Sequence, residues 1–255
     1  MFKFLGFIVL TLVLMLCINL SAQESETSFL EQGDQAFANF NDQAALDNYL
    51  KVIAINPNNY EANWKISRAY VEIGEDIEDD EQRASYYKKA EEYARTAIKN
   101  QSMGSDGHLY LSIALGRVAL DASAKQRIKM SKEIKEEVDL AIKYNPQNDI
   151  AYHVLGRWNR KISNLSWIER GFADMFLGGV PEDASDEEAV KSFKRAIELN
   201  PGHINHHLEL AITYEMMGND ELAIEALNKC LELPKTDADD DKYKAHAKEM
   251  LDDLQ

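Results

Sequence analysis

Three segments of this chain close on the same phrase. Ala45, Tyr49, Val52 and Pro57 stand 4, 3 and 5 residues apart, and Ile134, Val138, Ala141 and Pro146 repeat those steps, as do Ala189, Phe193, Ala196 and Pro201. Steps of 4 and 3 place three side chains on one face of a helix, and the small members let a neighbouring helix come close. Each proline follows an asparagine: Asn56, Asn145 and Asn200. Proline biases the residue before it away from helical geometry, and its own fixed φ suits the first turn of the next helix. Ala90, Ala94, Ala97 and Ser102 keep the apolar part without proline, while Ala223, Leu227 and Cys230 lead into Pro234 one residue early. A chain written this way must stack helices. No run reads as strands with turn punctuation, so little or no sheet is expected.

Each repeated helix needs a partner upstream. Residues 28–39 offer Phe29, Ala36 and Phe37, and residues 205–217 offer Leu208, Ala211, Ile212 and Tyr214 before the turn Gly218-Asn219-Asp220. This helix-turn-helix repetition resembles the tetratricopeptide pattern: Gly33, Ala45, Tyr49 and Pro57 fall at its signature positions, as do Ala211, Tyr214, Ala223 and Leu227 near the end. Positions 57, 102, 146, 201 and 234 lie 45, 44, 55 and 33 residues apart. The usual period is about 34, so three units carry insertions. The first, residues 72–81, holds seven acids and reads as a helix extension or a solvated bend; it lacks the Asp-x-Asp-x-Asp-Gly spacing of a calcium loop. The second, 119–126, lengthens a helix pair. The third, 157–186, interrupts a repeat with Trp158, Trp167, Phe172, Phe176 and Gly178-Gly179-Val180-Pro181. Residues 242–254 put Tyr243, Ala247, Met250 and Leu251 on one face, the form of a helix that covers the last repeat, as stacked repeats require. The expected fold is all-α: a tetratricopeptide-like superhelix of stacked antiparallel helix pairs, with long insertions and a C-terminal capping helix, in one domain over residues 23–255.

Residues 1–22 stand outside that domain. Lys3 precedes an apolar run from Phe4 to Ile18, and Ser21-Ala22 offers small residues for cleavage, the layout of a bacterial secretory signal peptide. The run is short of the roughly 20 residues that cross a bilayer; an uncleaved membrane anchor is the alternative. The expected location is therefore exported, periplasmic or envelope-associated. The chain carries 44 acids against 28 Lys and Arg, a net charge of -16, which argues against nucleic-acid partners, since phosphate contacts need a basic footprint. Only two cysteines are present, Cys17 in the leader and Cys230, so neither a disulfide framework nor a four-cysteine zinc site can form. Cys230 takes the small apolar place held elsewhere by Val52, Ala97, Ala141 and Ala196, and is read as core. His203, His206 and His207 lack the His-Glu-x-x-His form and are read as the first turn of a helix, with no metal. There is no glycine-rich phosphate loop. The chain is read as a non-enzyme without cofactors.

One stretch says more. Tyr152-His153-Val154-Leu155-Gly156-Arg157-Trp158, continuing through Ser166-Trp167-Ile168-Glu169-Arg170 and Met175-Phe176-Leu177-Gly178-Gly179-Val180-Pro181 to Glu188–Ala196, resembles the family of regulators of microtubule dynamics. The resemblance implies a tetratricopeptide-like domain with this same interruption. Eukaryotic relatives are linked to microtubules, and some are anchored at organelle membranes; an exported bacterial protein meets no microtubules. The expected function is a noncatalytic, protein- or peptide-binding helical scaffold of the bacterial envelope; the alternative is a lipid or small-metabolite binding protein there. His153, Arg157, Trp158, Lys161, Trp167 and Arg170 form the candidate ligand-binding group, because positive and aromatic side chains concentrated in an acidic chain suit a carboxylate, a phosphate or an acidic peptide. N-terminal sequencing of protein from its native cell should begin at Gln23; an intact Met1 in a tightly bound membrane fraction would establish the anchor instead.

Overall fold

Asparagine sets the corners of this fold. Asn56 and Asn145 each end one helix and accept, through Oδ1, the backbone N–H two residues on, at 3.2 and 3.1 Å. Asn59 and Asn148, three residues later, cap the next helix by accepting from Ala62 N at 2.8 Å and Ala151 N at 3.2 Å. The Asn-Pro-x-Asn text thus stops one helix and starts another within four residues, satisfying backbone groups that helix ends leave open.

The computed structural model describes residues 23–176, 179 and 183–255. The leader expected over residues 1–22 lies outside the described residues, as do Leu177, Gly178, Val180 and Pro181 of the central insertion and the Trp167 side chain. Among the described residues there are twelve α-helices and no strand: α1 over 23–38, α2 (Asp42–Ile55), α3 (Tyr60–Glu75), α4 (Asp80–Asn100), α5 (Ser105–Val118), α6 (Ala124–Tyr144), α7 (Asp149–Ser163), α8 (Trp167–Phe176), α9 (Asp186–Leu199), α10 (Ile204–Met216), α11 (Asp220–Glu232) and α12 (Asp240–Asp253), with one 3-10 turn, Ala119–Asp121. None of these helices is long and apolar enough to cross a membrane. Five antiparallel pairs stack in order: α1/α2, α3/α4, α5/α6, α7/α9 and α10/α11. The central insertion supplies α8, which lies against α6 and leaves α7 to pack on α9. Helix α12 covers α11 and α10, where Ala247 and Met250 join Ile204, Leu208 and Leu227 in one core. This is the all-α, tetratricopeptide-like stack that the repeated phrase predicts.

Within a pair, a small residue on the first helix receives a large one from the second. Tyr49 of α2 fills the space at Gly33, where a Cβ would meet its ring; at Gly156 a Cβ would lie 2.7 Å from Phe193 of α9. The matching positions in the fifth pair hold Ala211 with Leu227, packed in one cluster. Cys230 is fully buried in that cluster, and burial pushes its thiol up to about 12. The acidic insertion carries α3 on to Glu75 and then turns through an exposed bend into α4, as read from the sequence. Glu75 pairs with Arg117 of α5, Asp80 with Arg83, and Asp76 lies 3.0 Å from Lys242 of α12. The last contact joins residues 166 positions apart, so the start of the capping helix returns to the end of α3.

Gly156→Ala should destabilise the protein by about 1–3 kcal/mol through overpacking against Phe193. Adding Phe193→Leu should recover part of the loss, because the smaller side chain vacates the space the new methyl needs. Chemical denaturation of both single variants and the double variant checks this coupling.

Candidate functional site

Five of the six residues predicted as a ligand site divide into three groups; the side chain of the sixth, Trp167, lies outside the described residues. Two belong to the core. Trp158 is buried among Ala94, Leu111, Leu115, Ile134 and Ile162, and its Nε1–H donates to the Ser131 carbonyl at 2.7 Å. His153 is buried with its ring edge-on to Phe193, and its Nδ1 lies 3.0 Å from Nδ1 of His206. Arg170 belongs to a helix end. It folds back from α8 and donates to the carbonyls of Leu165 at 3.3 Å, Ile162 at 3.1 Å and, more closely, Ser163. It therefore takes up carbonyls that the last turn of α7 leaves open.

Arg157 and Lys161 remain at the surface, one turn apart on α7. Arg157 Nε lies 3.4 Å from the Glu209 carboxylate on α10, which Arg160 also grips. Lys161 forms no ion pair among the described residues. Partial burial, then the positive charges of Arg157, Arg127 and Arg160, lower its pKa. Arg127 of α6 reaches Glu169 of α8 at 3.4 Å. Four cations from α6 and α7, Arg127, Arg157, Arg160 and Lys161, thus crowd one place on a chain whose net charge is -16.

The positive group continues into a surface the sequence did not single out. Trp64 of α3 stacks on Tyr110 of α5 at 5.4 Å and 6°. Arg68, one turn after Trp64, places its guanidinium 3.4 Å from the centre of the Phe37 ring and 5.3 Å from that of Trp64. Its neighbour Lys65 is paired with Asp34 at 2.6 Å and Glu61 at 2.5 Å. Arg68 has no such ion pair among the described residues: Nη2 donates to the Tyr49 hydroxyl at 3.4 Å, and its buried Nε–H lacks an acceptor. Farther along α3, burial first, then the charges of Glu75, Asp42 and Asp237, push the Glu72 carboxyl up to about 8. Arg117 and Arg157 act in the opposite sense on Glu75. The first helices α3, α5 and α7 therefore present one electrostatically connected face, from Arg68 through Glu72, Glu75 and Arg117 to Arg157 and Lys161. The spacing of Trp64 and Arg68 on one helix was the available sequence signal; the partners Phe37, Tyr49 and Tyr110 lie in three other helices.

The histidines form a separate, interior cluster. His206 Nε2–H donates to Asp149 at 3.0 Å, and His203 stacks on His206 at 4.1 Å and 9°. Parallel rings hold their in-plane lone pairs in different planes, so His203 and His206 cannot meet at one ion in this arrangement. Among the described residues no three His, Cys, Asp or Glu side chains are placed to hold a metal.

The sequence family described as Regulator of microtubule dynamics protein 1-3 matches residues 29–255, from α1 to beyond α12. The chain belongs to the regulator of microtubule dynamics family. It is 30% identical over 188 residues to Regulator of microtubule dynamics protein 3 of Bos taurus, covering 73% of this chain and 40% of that relative. It is 27% identical over 192 residues to Regulator of microtubule dynamics protein 2 of Homo sapiens, covering 75% and 47%. The chain thus spans less than half the length of these relatives. Among solved structures, the thermophilic TPR protein TTC0263 of Thermus thermophilus superposes with a TM-score of 0.66 at 21% identity, over 87% of this chain and 98% of that one. PilF of Pseudomonas aeruginosa superposes with a TM-score of 0.57 at 14% identity, over 92% and 93%. These structures share the fold. In this member of the regulator family, the insertion that carries the family resemblance is seated by Trp158 and tied back by Arg170.

Arg170→Gln should therefore lower stability by about 1–3 kcal/mol, the cost of leaving partly buried carbonyls without their charged donor. Lys161→Gln should change stability little, since an exposed side chain without an ion partner contributes near zero. Thermal melts of the two variants separate the residue that ties the helices together from the residue that faces outward.

Proposed function

We propose that this protein is a noncatalytic scaffold of the bacterial envelope that holds a protein or peptide segment against the face made by α3, α5 and α7. The observation that carries this reading is Arg68: a guanidinium set on Phe37 and Trp64, with no carboxylate paired to it among the described residues, while Lys65 beside it is paired twice. A planar cation on an aromatic platform is prearranged to take a carboxylate, and little side-chain entropy remains to be lost. Arg157 and Lys161 provide a second positive point on the first helices, and the Trp64–Tyr110 stack provides aromatic area beside Arg68. A ligand that reaches both points is an extended segment with acidic groups toward its ends. Helical repeats use such extended inner surfaces to hold partners.

The envelope location rests on the leader-like residues 1–22. The microtubule role in the relatives' names does not carry over in this reading, because an exported protein does not meet tubulin.

Arg68→Gln and the double variant Arg157→Gln, Lys161→Gln should each weaken binding of a partner copurified from native envelope extracts by about 30-fold or more, the effect of losing a desolvated charged contact. Calorimetric titration measures the affinity, and melts unchanged within about 0.5 kcal/mol establish that the fold is intact. Unchanged affinity in both stable proteins removes this face from the account. Mass spectrometry of the same extracts that finds a lipid in place of a polypeptide would transfer the reading to a lipid-binding protein.

A further inference from the structure

The third corner of the stack departs from the other two. Where Asn59 and Asn148 cap their helices with side-chain acceptors, Asn200-Pro201-Gly202 is followed by His203, which makes no capping hydrogen bond. Its ring turns inward onto His206, and its buried Nδ1 has no partner. The helix that begins there, α10, meets α7 through polar side chains: His206 with His153 and Asp149, and Glu209 with Arg157 and Arg160, the latter also reaching Thr213 at 3.1 Å. Apolar packing of α10 is directed elsewhere, toward α9 through Phe193 and Leu210 and toward α11 and α12 through Leu208.

The hydrogen bonds along this seam fit an arrangement in which neither ring is charged. Asp149 is a carboxylate and accepts, so His206 carries hydrogen on Nε2. Its Nδ1 is then the acceptor for Nδ1–H of His153 at 3.0 Å. The neutral pair is fully hydrogen-bonded along this line. We infer that the α7–α10 seam is a proton-operated hinge, closed while His153 and His206 are neutral, weakened when either takes up a proton and opened when both do.

Each protonation strains the seam by burying a positive charge, and protonation of both rings breaks its hydrogen bond. A second proton on His206 turns Nδ1 into a donor, which His153 meets only by moving its own proton from Nδ1 to Nε2; once His153 is charged as well, two Nδ1–H donors face each other. A second proton on His153, at Nε2, places a buried cation beside Arg157 and Arg160 of its own helix, with His203 and His206 opposite. Asp149 on α7 is the one carboxylate that favours charge on His206; His203 and His207 on its own side oppose it. His207 donates Nε2–H to the Pro201 carbonyl at 3.0 Å and faces Lys229 of α11. From α9, the neutral ring of Phe193 covers His153. Glu209, between Arg157 and Arg160, is already engaged by both. Burial, the first cause in each case, holds the pKa of His153 well below and that of His206 below the ordinary 6.5. Groups with depressed folded values bind their protons in the open state, so the closed seam is favoured above pH 6.5 and loses ground as pH falls through it.

The magnitude follows from linkage. If each ring titrates at its ordinary value only when the seam is open, a fall from pH 7.5 to 5.5 favours opening by about 10-fold per imidazole, or about 100-fold for the pair. His108 provides an internal contrast with the opposite sign. Its two ring nitrogens face acceptors, Glu137 at 2.5 Å and the Ser102 carbonyl at 3.0 Å, and its pKa is raised by those partners over the opposing effect of burial. The α5–α6 contact is therefore not loosened by acid.

Amide hydrogen exchange of the whole chain at pH 7.5 and 5.5, corrected for the intrinsic pH dependence of exchange, tests the hinge. Protection should fall by 10- to 100-fold in α10 and the start of α7, and hold in α3 to α6. In His153→Gln, which keeps a hydrogen-bonding group but removes one titrating ring, the fall should shrink to about 10-fold or less. If that variant does not fold, titration of the imidazole Cε1–H resonances of the native protein decides the matter: His153 and His206 titrating at or above 6.5 overturns the proposal, and titration below it supports it. Loss of protection spread evenly over all helices, or no loss at pH 5.5, also overturns it.

Discussion

The close approach of two helices within a pair governs everything built on it. A Gly–aromatic contact, Gly33 under Tyr49 or Gly156 under Phe193, brings backbones together at the one place where a Cβ would not fit. That approach turns the rest of each helix face toward the next pair, so no pair buries its apolar surface alone and the stack has to be continued until α12 closes it. The corners then set how successive pairs are placed. An acid near the start of one first helix holds the corner that begins the next: Glu26 binds Asn56 and Asn59, and Asp149 binds Asn200 and His206. Packing decides the distance between helices, and these polar corners decide the turn from pair to pair.

Histidine is used in two opposed ways within this frame. His108 lies between two acceptors and is suited to carry charge, whereas His153 and His206 share one proton line that ends on Asp149. The difference is one of partners, since all three rings are buried. A buried cation needs acceptors for both of its N–H groups, and a buried neutral ring needs one of each kind. The fourth-to-fifth junction, where His203 replaces a capping asparagine, is consequently a place in the stack where polar and titratable contacts stand in for apolar ones.

The central insertion and the face of the first helices are related through α7. Trp158 anchors α7 from within, Arg170 secures its last turn, and Arg157 and Lys161 are left on its outer side. The insertion lengthens the repeat without interrupting the face, because α8 is set against α6 and α9 returns to the place that a second helix would occupy. Positive charge so placed is conspicuous in a chain of net charge -16. It lies beside carboxylates on α3 whose ordinary acidity burial and mutual repulsion reduce.

The sequence by itself determined the helical stack. The 4-and-3 spacing and the Asn-Pro corners act over a single turn of chain, and such local terms are legible residue by residue: Tyr49, Phe193 and Cys230 occupy the buried places their register assigned. The insertion around Trp158 was legible as an insertion, and its family resemblance as well. The candidate site was legible only in part. Its residue types were those of a binding group, but whether Arg170 met a ligand or a helix end depended on carbonyls at Ile162, Ser163 and Leu165, and whether His153 faced outward depended on His206, 53 positions away. Arg68 was passed over because Phe37, which its guanidinium covers, and Tyr49, to which it donates, lie on other helices. The return of α12 to Asp76 and the proton line through Asp149, His206 and His153 were likewise decided by tertiary structure alone. Helix periodicity is a property of neighbours in the chain, whereas charge, exposure and protonation are properties of neighbours in space.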